Sequence, residues 1–194
     1  RPFPRAKSRL YDSGIKTPWV VHFPELIKQG AVTQSFVSTI DLSATCLELA
    51  GVGIPECVQG RSFVPVLKDP KASVRDVVFA EQNWHVYHNQ SRLVRWGDFA
   101  YIRNYFPNQM NLCSESDITY PAGKELWEAQ AEGRGHKNYW QTFVNPCPKE
   151  ELYDLSRDPD QLTNLAEQAA MADALKQGRE MLAEWTRQTG DTVP

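Results

Sequence analysis

Between two prolines, Pro18 and Pro24, the chain runs Trp19-Val20-Val21-His22-Phe23 with almost no polar interruption. A continuous, β-branched run of this length predicts a strand over 18–23 that is buried on both faces, as in a parallel or mixed sheet. His22 then reads as a core histidine bonded to backbone. Further on, Leu42, Cys46 and Leu49 recur at helical spacing, which predicts a helix over 39–50 with Cys46 as core filler. Ser38 and Asp41 are spaced close to a capping box, Val37 and Leu42 stand as its hydrophobic staple, and Gly51 supplies a left-handed stop. A strand followed by a helix is the signature of an α/β layer.

The texture then changes. Residues 51–76 are rich in glycine and proline and read as loop. After them come short alternating runs at 76–81, 91–96, 99–104 and 151–155, which predict four strands. Gly97, in Trp96-Gly97-Asp98-Phe99, can take the positive φ of a tight hairpin. Met171, Leu175, Gly178, Leu182 and Trp185 form a 4-3-4-3 seam, predicting a final helix over 164–188 capped by Asn164 and Glu167. The stretch 105–150 is too long for a plain loop and reads as an insertion with a short helix over 124–132. Two regions follow from the pattern, 1–75 and 76–194, the second carrying the insertion.

Composition changes this picture little. A net charge of −3 over 194 residues, with no basic block, argues against nucleic acid. No apolar run approaches the roughly 18 residues of a membrane span. The start, Arg1-Pro2-Phe3-Pro4-Arg5, does not resemble a signal peptide; its prolines hold the chain extended up to Lys7. Cys46, Cys57, Cys113 and Cys147 show no zinc spacing, and the sequence leaves open whether Cys113 and Cys147 pair. His88 and His136 fall in loop-like stretches without a ligand partner at metal spacing.

Chemistry concentrates in two places. Lys7 opens the run Lys7-Ser8-Arg9-Leu10-Tyr11-Asp12-Ser13-Gly14-Ile15-Lys16-Thr17-Pro18. A lone lysine is most often a solvated charge, and Arg5 and Lys16 beside it read most simply as exposed charges. Glu81-Gln82-Asn83-Trp84-His85, with Arg92 beyond, joins an indole that can stack on a pyranose to polar tips that can take its hydroxyls. Arg92 suits a bidentate pair with a carboxylate or sulfate. Trp84 as a core cap and His85 as a satisfied polar residue are the plainer readings. Cys57-Val58-Gln59-Gly60-Arg61 places a cysteine four residues before an arginine, but Gly60 and the structural segment after it argue against Cys57 as a nucleophile. Asn89-Gln90-Ser91 matches a glycosylation triplet that recurs by chance.

The Lys7 run, the 18–23 segment, the Ser38–Gly51 segment, Gly60-Arg61-Ser62-Phe63-Val64-Pro65-Val66-Leu67, Glu151-Leu152-Tyr153-Asp154-Leu155, Asp158-Pro159 and Asn164-Leu165-Ala166 fall in the order seen in sulfatases. Almost the whole chain resembles the C-terminal part of a sulfatase of the alkaline-phosphatase-like superfamily, in particular bacterial relatives of the heparan N-sulfoglucosamine sulfohydrolases. The resemblance implies an α/β fold: the edge of a large mixed sheet, then a small four-stranded antiparallel sheet packed by the C-terminal helix. It implies that Lys7 grips the sulfate and that His85, Asn83, Trp84 and Arg92 read a sulfated carbohydrate. It further implies a formylglycine nucleophile and a Ca²⁺ ion, both held by polypeptide absent from this sequence. No metal ligand is expected within the chain itself. A preceding sulfatase segment or a second polypeptide is expected to cover strand 18–23, and a periplasmic or secreted home is implied by the relatives. A phosphodiesterase or phosphonate hydrolase of the same superfamily, or a glycan-binding domain without chemistry, are the alternatives.

Overall fold

The computed structural model describes residues 5–27, 30–85, 88–107, 119–134 and 147–192. It separates into two units, one holding the residues up to Thr17 together with Phe79 onward, the other Pro18–Val78. The opening residues thus group with the second half of the chain.

In the larger unit, β1 (Val77–Trp84), β2 (His88–Trp96), β3 (Phe99–Asn104) and β4 (Glu150–Asp154) form one antiparallel sheet in that order. The turn between β2 and β3 places Gly97 at φ +45°, as the hairpin requires. Leu93 is opposite Ile102, which is opposite Glu151, and Ala100 is opposite Tyr153. Because side chains alternate along a strand, this register gives the sheet two distinct faces. On one, Leu93, Ala100, Ile102 and Tyr153 pack with Leu10 and Tyr11 from the opening segment. On the other, α5 (Ala172–Thr189) buries Leu175, Gly178 and Leu182.

Gly178 decides how closely α5 lies. A Cβ there would sit 2.8 Å from Tyr101 Cβ and 2.9 Å from Trp96 Cη2. Both rings are embedded in the sheet, so Gly178→Ala is expected to destabilise the fold by about 1–3 kcal/mol through overpacking, read as a lower urea midpoint with an unchanged m-value. Trp185 completes the seam by stacking on Phe79, ring centroids 5.2 Å apart.

The final helix starts later than its sequence suggests, after a 3₁₀ turn at Ala169–Met171. Asn164 caps no helix. Its Oδ1 accepts the backbone N–H groups of Leu152 and Ala166, each at 3.0 Å, and its Nδ2 donates to Glu150 O at 3.0 Å. Asn164 thus completes the outer edge of β4, where backbone groups would otherwise be unpaired. The insertion carries α4 (Pro121–Ala131), while Cys113 and His136 lie outside the described residues.

Arg179 on α5 binds Glu150 of β4 in a fork, Nε to Oε1 at 2.7 Å and Nη2 to Oε2 at 2.6 Å, and Tyr101 donates to the same carboxylate at 2.6 Å. The Arg179 bonds hold the Glu150 carboxyl at about 2, against an ordinary 4.5. A depressed carboxyl stabilises the fold above its unfolded value and loses that contribution as pH falls toward its folded one. Solvent screens the half-exposed Arg179, so Glu150→Gln is expected to cost only about 1 kcal/mol at pH 7. That difference should close between pH 4.5 and about 2 in urea titrations.

The smaller unit contains α2 (Asp41–Leu49) and α3 (Val64–Lys68). Its helix turns a different face inward than the apolar spacing predicts: Asp41, Ala44 and Thr45 are buried, whereas Leu42, Cys46 and Leu49 are exposed. Hydrogen bonds set that choice. Asp41 Oδ1 accepts Arg61 N–H at 2.8 Å and pairs with Arg75, while Oδ2 reaches back to Ser38 N–H at 2.8 Å, one half of the expected capping box. Thr45 Oγ1 accepts Phe63 N–H at 3.0 Å. Gly51 stops the helix at φ +69°. Residues 18–23 form no strand and are exposed, Val20 at 93 %. His22 is therefore a surface residue, not a core histidine. A strand needs ladder partners, and among the described residues every strand belongs to the one sheet of β1 to β4.

Candidate functional site

Lys7 sits on a tight turn closed by Arg9 N–H donating to Ala6 O at 3.1 Å. The residue after it, Ser8, has φ +68°, in the left-handed region that disfavours side chains. Two residues to either side of Lys7, Arg5 at 6 % exposure and Arg9 at 8 % are buried, while Lys7 itself is exposed. Lys16 is exposed too.

Arg5 is not the surface charge its position suggested. Its guanidinium lies 3.9 Å from the Tyr11 ring centroid and donates to the carbonyls of Asp160, at 2.7 Å, and Gln161. A planar cation can stack and fork at once, which makes arginine burial feasible here.

Beneath the segment lies a buried polar network on the same sheet face. Glu151, 2 % exposed, is its hub. Tyr11 and Tyr153 hydroxyls donate to Glu151 Oε2 at 2.8 and 2.5 Å, and Asn104 Nδ2 donates to Oε1 at 2.7 Å. Ser91 Oγ donates to Asn104 Oδ1 at 2.8 Å. Burial, reinforced by the Glu151 charge, raises the Tyr153 hydroxyl well above its ordinary value, so it stays a donor. Cys147, a buried free thiol, is pushed up to about 12 by burial and the Glu151 charge, with Arg9 opposing. It remains protonated at neutral pH and is no nucleophile.

A small cleft opens over this network, lined by Arg9, Tyr11, Gln82, Ser91, Asn104 and Glu151 among others. Arg9 is two residues past Lys7 and Gln82 is two before Trp84, so the opening segment and the end of β1 share one side of the sheet. Trp84, at 68 % exposure, Asn83 and His85 are all exposed at this end of β1 or just past it. Alternation along β1 assigns Trp84 to the face of Ala80 and Gln82, and Asn83 to the face of Phe79 and Glu81. His88 and Phe106 extend Trp84 into a row of rings, with centroids 5.3 and 4.8 Å apart. His88 is hard to read in the sequence because β2 begins with the polar run His88-Asn89-Gln90, where no alternation shows.

Arg92 belongs elsewhere. The register puts it on the opposite face, against α5, where Nε and Nη2 donate to Asp191 at 2.6 and 2.9 Å and Nη1 donates to the carbonyls of Ser91 and Gln82. Its fork is used within the chain, fastening the end of α5 to the sheet. Among the described residues, no three His, Cys, Asp or Glu side chains are grouped to hold a metal ion. Cys57 is exposed in the smaller unit, and no described helix is long and apolar enough to cross a membrane.

The family model described as "N-sulphoglucosamine sulphohydrolase, C-terminal" matches residues 6–111. An ulvan-active sulfatase of Formosa agariphila is 32 % identical over 98 % of this chain and 32 % of its own length. Human N-sulphoglucosamine sulphohydrolase is 28 % identical over 98 % of this chain and 40 % of its own. Among solved structures, a protein in complex with its substrate D-glucosamine-2-N,6-O-disulfate superposes with a TM-score of 0.62 at 21 % identity, over 89 % of this chain and 28 % of that one. The chain belongs to the N-sulphoglucosamine sulphohydrolase C-terminal family and is a C-terminal sulfatase domain. It spans about a third of the length of the curated relatives it matches.

Proposed function

We propose that this chain is the C-terminal portion of a sulfatase that hydrolyses sulfate esters or sulfamates of a glycan, and that it supplies Lys7 to the sulfate and part of the sugar pocket. The observation that carries this reading is the Lys7 turn: an exposed ammonium on a turn with buried anchors, in a chain of this family. An ammonium there would donate to a sulfate oxygen and to the bridging atom, offsetting charge that develops as the sugar departs. The Trp84 face, extended by His88 and Phe106, would stack on a pyranose, and His85, just past the strand, would take its hydroxyls; Asn83, one residue before Trp84, shares the α5 face with Phe79 and is left out of that pocket. Arg92 is left out of the pocket because its donors are used internally.

The nucleophile, by resemblance a formylglycine made from Cys or Ser, and the Ca²⁺ ion belong to polypeptide outside these residues. The described side chains of this chain do not fit either group. A preceding sulfatase segment would also cover Trp19, Val20, Val21, Phe23, Leu42 and Leu49, whose exposure is otherwise costly in solution. The names of the relatives point to sulfated glycans of the extracellular world, and a periplasmic or secreted location fits such substrates.

The test is release of inorganic sulfate. The full-length enzyme is expected to liberate it from N-sulfoglucosamine or from ulvan oligosaccharides faster than it cleaves a phosphonate monoester, and the 194-residue chain alone to liberate none. Preference for the phosphonate would move the assignment to phosphonate hydrolysis; sulfate release by the isolated chain would show that the chemistry lies within it.

A further inference from the structure

One glycine near the proposed sulfate ligand is required by space and not by conformation. Gly14 lies in the short helix α1 (Asp12–Ile15) and is not among the residues with positive φ, so its backbone would accept any side chain. Yet a Cβ on Gly14 would meet Arg9 O at 2.2 Å and Ala6 O at 2.3 Å. These are backbone oxygens, unable to swing aside. They also belong to the two residues that close the Lys7 turn through the Arg9 N–H to Ala6 O bond.

The Lys7 turn therefore rests directly on the backbone of α1, and α1 is itself held. Its first N–H, from Asp12, donates to Gln161 Oε1 at 2.6 Å, and Gly14 N–H donates to Tyr11 O at 2.7 Å. Ser13 Oγ donates to Arg5 O at 2.8 Å, tying α1 to the residue just before the turn. Tyr11, which precedes α1, is fixed through its hydroxyl to Glu151 on β4. Four contacts thus make α1 a rigid seat, and the absent side chain of Gly14 sets the height at which the turn sits.

We propose that Gly14 is a positioning residue for Lys7: the contact of the turn carbonyls with its bare backbone fixes where the ammonium is displayed toward the sulfate. This rests on the reading of Lys7 as the sulfate ligand. An alanine would have to push the turn out by about 1 Å to reach ordinary contact, and a displacement of that size can cost about 10²-fold in rate.

The experiment is a double-mutant cycle in the full-length enzyme, with whichever of N-sulfoglucosamine and ulvan oligosaccharide it hydrolyses faster. Gly14→Ala is expected to lower kcat by about 10²-fold, and to cause no further loss in a Lys7→Ala background, since it acts through Lys7. Equal losses in both backgrounds, or wild-type kcat for Gly14→Ala alone, would overturn the inference while leaving the Lys7 reading intact. Wild-type kcat for Lys7→Ala would instead remove the reading on which it rests. Should Gly14→Ala not fold, Ser13→Ala decides: it deletes only the tie between α1 and Arg5, and is expected to lower kcat several-fold, again with no effect once Lys7 is gone. An unchanged kcat in Ser13→Ala would then overturn the inference.

Discussion

Lys7→Ala is expected to reduce kcat for sulfate release by about 10²–10³-fold in the full-length enzyme, the usual cost of losing one donor aimed at developing charge. Stability should change by less than about 0.5 kcal/mol, because the side chain is exposed. That split between rate and stability is the signature of a ligand-facing group. Lys7→Arg is expected to recover little, since a planar fork cannot take the place of a compact ammonium on a turn this tight. Steady-state kinetics alongside thermal melts of the three proteins would check both halves.

Glu151→Ala is expected to be the most destabilising single change in the larger unit, at about 3–5 kcal/mol, the range seen when one member of a buried charged network is removed. It takes an acceptor from three donors at once: the Tyr11 and Tyr153 hydroxyls and the Asn104 amide. The two hydroxyls would lose this acceptor in a buried site, while the Asn104 amide would keep its bond to Pro148 O. The carboxylate also sits beside Arg5, whose charge it helps to hold inside the protein. Glu151→Gln keeps one acceptor oxygen but presents N–H groups where a donor already points, so a smaller loss is expected. Urea denaturation monitored by tryptophan fluorescence gives the order wild type, Glu151→Gln, Glu151→Ala. Because Tyr11 anchors the segment that carries Lys7, the same substitution couples folding of the sheet to the geometry of the site.

The sheet was legible because its strands alternate. Leu93 and Ile102 face one way and Val94 and Tyr101 the other, and Gly97 marks the turn between them. The α5 seam was equally plain, as Leu175, Gly178 and Leu182 recur at helical spacing against a charged background. Polar cores hid the rest. Spacing alone favours Leu42, Cys46 and Leu49 as the inner face of α2, yet Asp41 and Thr45 turn that face outward by bonding the loop at 61–63. Arg5 reads as a surface charge until Tyr11 and the carbonyls of Asp160 and Gln161 are seen around it. Trp19 to Phe23 has the composition of a buried strand, but composition cannot supply the neighbours a ladder needs.

For the candidate site, the sequence pointed to Lys7 through its ordered context and to Asn83, Trp84 and His85 through their chemistry. It could not separate Asn83 and Arg92 from Trp84. The difference is one of parity: Ser91 faces the Glu151 network, so Arg92, one residue on, must face α5. His88 and Phe106 escaped notice because the Trp84–His88 and His88–Phe106 ring contacts arise in the fold and no linear spacing records them.

The most direct measurement is a crystal structure of the full-length enzyme with a sulfated saccharide bound. Lys7 Nζ should lie about 2.7–3.2 Å from a sulfate oxygen, with a sugar ring against Trp84. A sulfate bound elsewhere, with Lys7 Nζ directed into solvent beyond hydrogen-bond reach, would contradict the assignment of this turn to sulfate recognition.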